Sequence, residues 1–209
     1  KGRSKALSEG AIIDADNFEY NKLDNIINAN GNVAIDNKDE NYLIYADEAT
    51  YFKNEQLFLT EGQSKAINED IVINADNFKY NKIDNIINAQ GNVKIEDTLN
   101  DYLILANKAS YYENSKKVIT HGETTADIQS KYFITSKDVT YLHEKKIISS
   151  QNKTKLQGQK SQVYFADKFN YSINQEIIKG ENFLIITNYN LPKSDKFFLD
   201  SAIIDLKEN

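Results

Sequence analysis

The sequence predicts an all-β protein, an elongated folded antiparallel sheet built from about six tandem strand-turn-strand repeats of about 30 residues. Three observations lead to this fold class. Residues that are β-branched or aromatic outweigh Ala and Leu, which favours strands. A tyrosine recurs every 29 to 31 residues. On both sides of these tyrosines apolar and polar residues alternate, as in strands with one buried face.

The clearest repeat has a period of 60 residues, since residues 12–35 and 72–95 are identical at 18 of 24 positions. A period of half that length places one tyrosine in each unit. These are Tyr20, Tyr51, Tyr80, Tyr111, Tyr141 and Tyr171. Such self-similarity is typical of stacked repeats that share one core.

The residues before each tyrosine form the first strand of a unit. A large apolar residue stands seven positions before the tyrosine, and a small residue stands five positions before it. In the first four units these are Ile13, Ile44, Ile73 and Ile104, and Ala15, Ala46, Ala75 and Ala106. The residue two positions before the tyrosine shares a face with the tyrosine but not with the small residue. We therefore expect a bulge or bend near residues 16–17 and their counterparts.

A polar stretch after each tyrosine predicts a hairpin turn, as in NKLDN at residues 21–25. Alternation then resumes in a second strand, with an apolar residue seven positions after the tyrosine and a small residue nine positions after it. The apolar residues of the first four units are Ile27, Phe58, Ile87 and Val118. Glycine stands eleven positions after the tyrosine in four units and Asn in the last two. Polar connectors, such as residues 36–41 and 96–101, join the units.

The pattern is incomplete at both ends of the chain. Residues 7–10 read LSEG and match LTEG at residues 59–62, so we expect the sequence to begin inside the second strand of an earlier unit. Because Met is also absent, we expect a piece of a longer protein. Residues 197–206 are expected to add a final strand after Pro192, the only proline. With no Gly-, Ser- or Pro-rich linker, we expect one domain over residues 1–209, with repeats over about 4–186 and a closing tail or a link to a following region at 187–209.

Composition and motifs exclude several kinds of chemistry. The chain has no Cys, which removes disulfides, thiolate metal sites and thiol nucleophiles. A net charge of -6 argues against nucleic acid as a partner. The two histidines, His121 and His143, have no metal-ligand spacing, and the acidic clusters lack the spacing of a calcium loop. We therefore expect no catalytic residue, no metal and no cofactor.

The units have the form apolar-x-Ala-Asp-x-x-x-Tyr, turn, apolar-apolar-x-Ala-x-Gly-Asn-Val-x-Ile. Residues 13–35 and 73–95, with looser copies at 44–66 and 104–126, thereby resemble the OstA-like repeats of the lipopolysaccharide (LPS) transport family. The resemblance covers about residues 4–186, and the tail resembles the region that follows these repeats in the periplasmic part of LPS-assembly proteins. It implies a β-jellyroll with an apolar interior. It also implies a non-enzymatic conduit in the Gram-negative periplasm, associated with the outer membrane, that shields the acyl chains of lipid A.

The resemblance further implies lipid contacts along the interior face. The positions that match the motif are Ala11, Ile13, Ala15, Ile27, Ala29, Val33, Ile35, Ile71, Ile73, Ala75, Ile87, Ala89, Val93 and Ile95. The equivalent positions of the looser copies are Ile44, Ala46, Phe58, Ile104, Ala106 and Val118. The implied partners are LPS, other jellyroll transport proteins joined head to tail through strand edges, and an outer-membrane barrel or its lipoprotein partner. The last two units depart from the pattern at Ser136, Lys137, Asn152, Asn182 and Gln162.

The residues alone leave other functions open. The columns of small residues either let the two halves of the sheet approach closely or leave a groove for a flexible apolar ligand. A structural β-solenoid, such as a spacer or surface adhesin without lipid binding, would have a filled, dry interior. A carbohydrate-active β-helix enzyme would need a cluster of carboxylates on one outer face, for which the recurrent Asp16, Asp47, Asp76 and Asp167 are candidates.

Overall fold

A computed structural model describes residues 4–8, 10–37, 42–158 and 161–207. Seventeen strands and one short 3-10 turn, Glu113–Ser115, form the regular structure of this part of the chain. The strands are β1 (Ser4–Ser8), β2 (Ala11–Ala15), β3 (Asn17–Asn21), β4 (Ile26–Asn37), β5 (Tyr42–Phe52), β6 (Leu57–Asn68), β7 (Ile71–Asn81), β8 (Ile86–Asp97), β9 (Tyr102–Tyr112), β10 (Lys117–Ile128), β11 (Tyr132–Lys137), β12 (Thr140–Leu142), β13 (Ile147–Ser150), β14 (Thr154–Gly158), β15 (Val163–Ser172), β16 (Ile177–Ile186) and β17 (Lys196–Asp205). The all-β prediction is confirmed. Over the described ranges, no helix is long and apolar enough to cross a membrane.

The chain divides into two compact units. The first comprises Lys1–Leu99 and Ser110–Glu113, and the second comprises Asn100–Ala109 and Asn114–Asn209. The single domain expected over residues 1–209 stays a prediction, as does the number of repeats.

In the first unit, strands β4 to β8 form an antiparallel meander in which each strand pairs with the next along the chain. The register of every pair shifts once, for example between Glu61 and Ser64 of β6 and between Asn74 and Asn77 of β7. In the first repeat the interruption separates β2 from β3 at Asp16. These shifts confirm the expected bulge.

We call the line of register shifts the corner, because it divides the sheet into two halves. The turn leaf of the first unit ends at the turns after the tyrosines and contains residues 17–30, 48–61 and 77–90. The connector leaf ends at the connectors and contains residues 11–15, 33–37, 42–46, 64–75 and 93–97. Residues 38–41 of the connector at 36–41 lie outside the described residues.

The second unit has the same two leaves. Its connector leaf contains β11, β14 and the first half of β15, which pair in that order. Its turn leaf contains β12, β13 and the second half of β15. Strands β16 and β17 continue both leaves, since β16 pairs with β15 and β17 pairs with β16 over most of their length. The final strand expected in the tail is therefore present.

The turns predicted after the tyrosines share one backbone feature. The fifth residue after each tyrosine has a positive φ, from 44° to 59°, at Asn25, Gln56, Asn85, Lys116, Lys146 and Glu176. Its carbonyl accepts a hydrogen bond from the next turn, as in Lys53 N–H to the Asn25 oxygen at 3.2 Å and Lys82 N–H to the Gln56 oxygen at 3.0 Å. Neighbouring turns are thus joined to each other as well as to their own strands.

The N-terminal strand corrects one sequence alignment. Ala6 of β1 lies opposite Ile13, as Ala66 of β6 lies opposite Ile73. Leu7 therefore corresponds to Ile67, and its alignment with Leu59 was wrong. A match of four residues, LSEG with LTEG, is too short to determine the register of a strand.

Candidate functional site

The interior face holds the residues predicted to contact lipid. Nineteen of the twenty are at most 9% exposed. The exception is Ala106, which is only partly buried. At the equivalent corners of the first unit an aspartate covers the glycine of the next strand, whereas a Cβ built on Gly122 would have nothing within 4 Å. The corner is less closed where Asn107 replaces that aspartate, which explains the exposure of Ala106.

The interior is filled by side chains. In the first unit the ring of Phe58 stacks on Tyr51 at 4.0 Å and lies 6.0 Å from Tyr80. All three residues are at most 1% exposed. A cavity of about 460 Å³ lies at the corner between β6 and β7, lined by residues that include Glu61, Gly62, Asp76 and Lys79. None of the twenty predicted residues lines this cavity, so the filled interior and the corner depression are different places.

One tyrosine departs from the predicted interior column. Tyr20 of β3 is 54% exposed, whereas Tyr51, Tyr80, Tyr111, Tyr141 and Tyr171 are at most 2% exposed. β3 pairs with β4 along its length, while β1 pairs with β2 and does not reach β3 in the described register. The first turn leaf therefore begins at an uncovered strand.

The recurrent aspartates hold the corner together. Asn32 donates to Asp16 at 2.8 Å, Asn92 donates to Asp76 at 3.1 Å, and Asn182 donates to Asp167 at 2.9 Å. A Cβ on Gly31 or Gly91 would lie 2.7 or 2.1 Å from the facing carboxylate, which explains why glycine stands there. These carboxylates are structural links, a role that was not expected when they were considered only as candidate enzyme carboxylates on an outer face. The signal was present, since Asp and Gly-Asn recur 15 and 16 residues apart.

Buried hydroxyl pairs support the corner from the inside. The hydroxyls of Thr60 and Ser64 lie 2.6 Å apart, and Thr60 also accepts from the Phe78 N–H at 2.9 Å. In the second unit Thr120 and Thr124 lie 2.7 Å apart, and Thr120 accepts from the Val139 N–H at 2.9 Å. The hydroxyls satisfy backbone donors where the sheet ladder is interrupted. The repeat pattern identified Thr60 and Thr120 only as small residues and did not identify Ser64 or Thr124.

The free ends of the two leaves meet along a line that we call the seam. In the first unit the rings of Tyr42, at the connector end of β5, and Tyr80, at the turn end of β7, meet edge to face at 4.7 Å. Asn37 donates to both of these hydroxyls, at 3.3 and 3.5 Å. One period further, Tyr111 donates to Asn68 at 3.0 Å, and Asn68 donates to Glu113 at 3.1 Å.

The second unit repeats this arrangement with a different chemistry. Tyr132, at the connector end of β11, lies 5.7 Å from the ring of Tyr171 and donates to Glu176 at 3.2 Å. Lys131 forms an ion pair with the same carboxylate. Tyr102 meets Tyr141 edge to face at 6.1 Å. The contacts that cross the seam join residues 38 to 45 positions apart, which places them two or three strands apart along the sheet.

Burial raises the pKa values of two tyrosine hydroxyls at the seam. It raises the pKa of the Tyr111 hydroxyl well above its usual range, and the nearby carboxylates of Glu113 and Glu69 add to the rise. Burial likewise raises the pKa of Tyr171, with smaller contributions from Tyr132 and Glu176. Both hydroxyls are therefore neutral at physiological pH.

Strand β17 presents apolar side chains at the end of the second unit. Phe197 and Leu199 lie opposite Ile185 and Phe183 of β16 and are 51% and 44% exposed, whereas Phe183 is 1% exposed. Phe198 and Ile203, on the opposite face, are also largely exposed. The covered interior face thus becomes uncovered at β17.

Comparison with known proteins supplies a family. The family model described as LptA/(LptD N-terminal domain) LPS transport protein matches residues 12–132, more than half of the chain. Fourteen chains of solved structures match as well. One is the crystal structure of LptH, the LptA-homologous periplasmic component of the conserved lipopolysaccharide transport device from Pseudomonas aeruginosa, at 12% identity and a TM-score of 0.48 over 53% of this chain and 81% of that chain. The search of curated proteins found no match.

Proposed function

Because the chain belongs to the LptA and LptD N-terminal domain family of LPS transport proteins, we propose that its apolar interior shields the acyl chains of lipid A while LPS crosses the periplasm. Its role in LPS transport follows from the family, which is a transport and binding family and not an enzyme family. This role places the chain in the periplasm of a Gram-negative bacterium. Delivery to the outer membrane and the residues that touch lipid belong to the proposal.

The observation that supports shielding is the continuous apolar face shared by the two leaves. In the first unit it includes Ile13, Ile35, Ile44 and Ile73, which are at most 2% exposed and recur on strand after strand. Burial of an acyl chain against such a face contributes about 0.8 kcal/mol per CH₂ group. A column of similar residues also offers no single tight site, so a bound chain can move along it.

Charge attraction is a weak candidate for holding the ligand. The net charge of -6 opposes the phosphates of lipid A. The sugars and phosphates are therefore expected outside the leaves, where water solvates them.

The exposed end at β17 supports head-to-tail pairing with another jellyroll protein. Interior residues such as Ile178 and Phe183 are at most 1% exposed, whereas Phe197 and Leu199 on the same face of β17 are about half exposed. A strand from a partner could add to such an end, and its own interior face would then continue the apolar path. A barrel or lipoprotein at the outer membrane remains a further predicted partner.

A structural spacer without lipid binding is the second candidate, and the filled interior favours it. The rings of Tyr51, Phe58 and Tyr80 stack on one another inside the first unit and fill the space between them. The two candidates differ in whether lipid reaches this interior, which is directly measurable.

The test is photo-crosslinking of purified protein mixed with LPS, with the photoreactive residue at Ile73 or Ile87. Matched controls carry it at Val72 and Asn88, the adjacent residues on the other face of β7 and β8. We expect LPS adducts at the interior positions and at least about tenfold fewer at the controls. Equal capture on both faces would contradict shielding, and no binding of LPS by the unmodified chain would favour the spacer.

A further inference from the structure

The closed interior raises the question of how an acyl chain enters it. The interior residues of the first unit are at most 9% exposed, and aromatic rings fill the space between its leaves. Away from the ends of the array, lipid can reach these residues only if the leaves separate. Two lines bound the leaves within each unit, the corner and the seam, and they differ in construction.

The corner is held by the chain itself. Every long strand of the first unit passes through it, so opening it would require breaking backbone continuity or several strand pairings. Buried hydroxyls and aspartate links, such as Thr60 with Ser64 and Asp76 with Asn92, further brace it. The corner is therefore the hinge side of the fold.

Among the described residues, the contacts given across the seam are made by side chains. No described strand pairing joins the connector end of β5 to the turn end of β7, and the contact there includes the Tyr42 and Tyr80 rings and the amide of Asn37. In the second unit the contact consists of Tyr132, Tyr171, Lys131 and Glu176. Such contacts can break and re-form while every strand keeps its neighbours.

We propose that the seam is the gate through which acyl chains enter and leave the interior, and that the tyrosine, amide and ion-pair contacts across it hold the gate shut. The gating residues of the first unit are Asn37, Tyr42, Asn68, Tyr80, Tyr111 and Glu113. Those of the second unit are Tyr102, Lys131, Tyr132, Tyr141, Tyr171 and Glu176. This inference rests on the proposed function, because it assigns a route to the same interior.

The chemistry of the seam fits an amphiphilic ligand. Its inner layer is aromatic, and its outer layer carries the amides of Asn37 and Asn68 and the charges of Lys131 and Glu176. When the leaves part, acyl chains would contact the rings, while the polar head group would meet the amides and charges. A spacer would have no need of such a layered edge.

Charge reversal at the second seam provides the first test. Lys131→Glu places a second carboxylate opposite Glu176, so the seam should open more readily. The double variant Lys131→Glu/Glu176→Lys restores opposite charges. Lys137→Glu is the matched control, because Lys137 pairs with Glu123 at 2.9 Å between neighbouring strands of one leaf and does not cross the seam.

The readout is the rate at which rough-type LPS is captured by a photoreactive residue at Ile148, an interior residue of the second unit that is 1% exposed. We expect Lys131→Glu to raise this rate about two- to fivefold, the range expected for loss of a partly exposed ion pair. The swapped pair should return to within about twofold of the unmodified rate, and Lys137→Glu should not change it. Equal rates in all variants would overturn the gate.

Locking the seam provides the second test. Cysteines at Lys131 and Glu176 can be bridged by a cleavable bis-maleimide, and since the chain has no Cys the reagent reacts only there. We expect the bridge to reduce capture at Ile148 at least about tenfold and cleavage to restore it. The same bridge between Glu123→Cys and Lys137→Cys joins two strands of one leaf and should leave capture unchanged.

The outcomes separate the gate from the function on which it rests. Capture that persists in the bridged protein overturns the gate and leaves lipid shielding in place. An unmodified chain that captures no LPS at any interior position overturns both. Denaturant unfolding of each variant, measured in parallel, distinguishes a gate from general loss of stability, because Lys137→Glu and Lys131→Glu remove equivalent surface charges.

Discussion

Asp76 and Gly91 show how one pair of residues shapes the corner. Gly91 has a φ of +78°, and a Cβ at this position would lie 2.1 Å from the Asp76 carboxylate. Glycine is therefore required twice, once for its backbone conformation and once for the close approach of the aspartate. Gly122, in contrast, has a similar φ of +84° with nothing within 4 Å.

The contrast between these glycines makes a prediction about stability. Gly122→Ala should cost about 1–2 kcal/mol, because an L-residue is strained in the left-handed region. Gly91→Ala should cost at least ~1 kcal/mol more, because the methyl group also displaces Asp76. Denaturant unfolding of the two variants measures the difference. Equal losses would mean that the aspartate contact does not constrain the corner.

Buried tyrosines make a prediction about pH. A folded-state pKa of Tyr111 above the unfolded value of about 10 means that its contribution is fully present below pH ~10 and is lost as the pH rises further. The stability of the protein should therefore fall in alkaline solution. Tyr111→Phe should lower stability at neutral pH by about 1 kcal/mol, through the lost hydrogen bond to Asn68, and should make the alkaline loss smaller. Urea unfolding between pH 7 and pH 11 tests both effects, and an unchanged alkaline loss in the variant would contradict the assignment.

Interior residues could be predicted from the sequence, whereas their hydrogen bonds could not. Alternation around each tyrosine identified Ile13, Ala15 and Ile27 as inward-facing because the strand period is two. The pairing of Thr60 with Ser64 depends on a local interruption of the ladder, which alternation does not describe. The partial exposure of Ala106 has a related cause, because Asn107 stands where the other corners have aspartate.

At the scale of the strand, the alternation of inward and outward residues was the most informative signal for the local structure. The mismatch in parity between Ala15 and Phe18 predicted a bulge, and the structure places a break between β2 and β3 there. The misalignment of Leu7 shows the limit of aligning short motifs, because a four-residue match without a nearby tyrosine does not determine the register of a strand. Strand pairing with β2 supplies the missing register.

Strand β17 makes a prediction about assembly. If Phe197 and Leu199 continue the apolar interior into a partner, then Phe197→Lys/Leu199→Lys should weaken head-to-tail association at least about tenfold, because two charges would be buried at the junction. Phe198→Lys is the control, since Phe198 is 74% exposed on the other face. Sedimentation velocity over a range of concentrations measures self-association of the chain, the simplest instance of such pairing. The same association constant for all variants would exclude β17 as the junction.

At the scale of the molecule, the seam was beyond sequence reasoning. Its contacts join residues 38 to 45 positions apart, so they depend on how the sheet folds and twists rather than on the 30-residue period. The repeat itself was readable, because stacked units contact their neighbours in an equivalent way. The sequence does show Asn37 and Asn68 at equivalent strand ends. Their role could not be inferred from it, because the tyrosines that they contact lie on distant strands.

The 60-residue period allows a final prediction about the whole array. Deleting residues 12–71 joins Ala11 to Val72, which corresponds to Ile12 in the near-identical repeat, so the repeat pattern continues unbroken across the junction. β1 can then pair with β7 in the register it now has with β2, because Ala6 faces Ile13 as Ala66 faces Ile73. The shortened chain should fold with the same circular dichroism per residue, and its unfolding m-value should fall to roughly 70%, in proportion to chain length. A deletion of residues 27–86, of the same size, would join Ile26 to Ile87 in the turn leaf with the repeat pattern unbroken, and it should fold as well. A deletion of 45 residues, 27–71, would join Ile26 to Val72 and place the strands out of register, so this chain should not fold. If both lengths folded equally well, stacking in register would not be what specifies this structure.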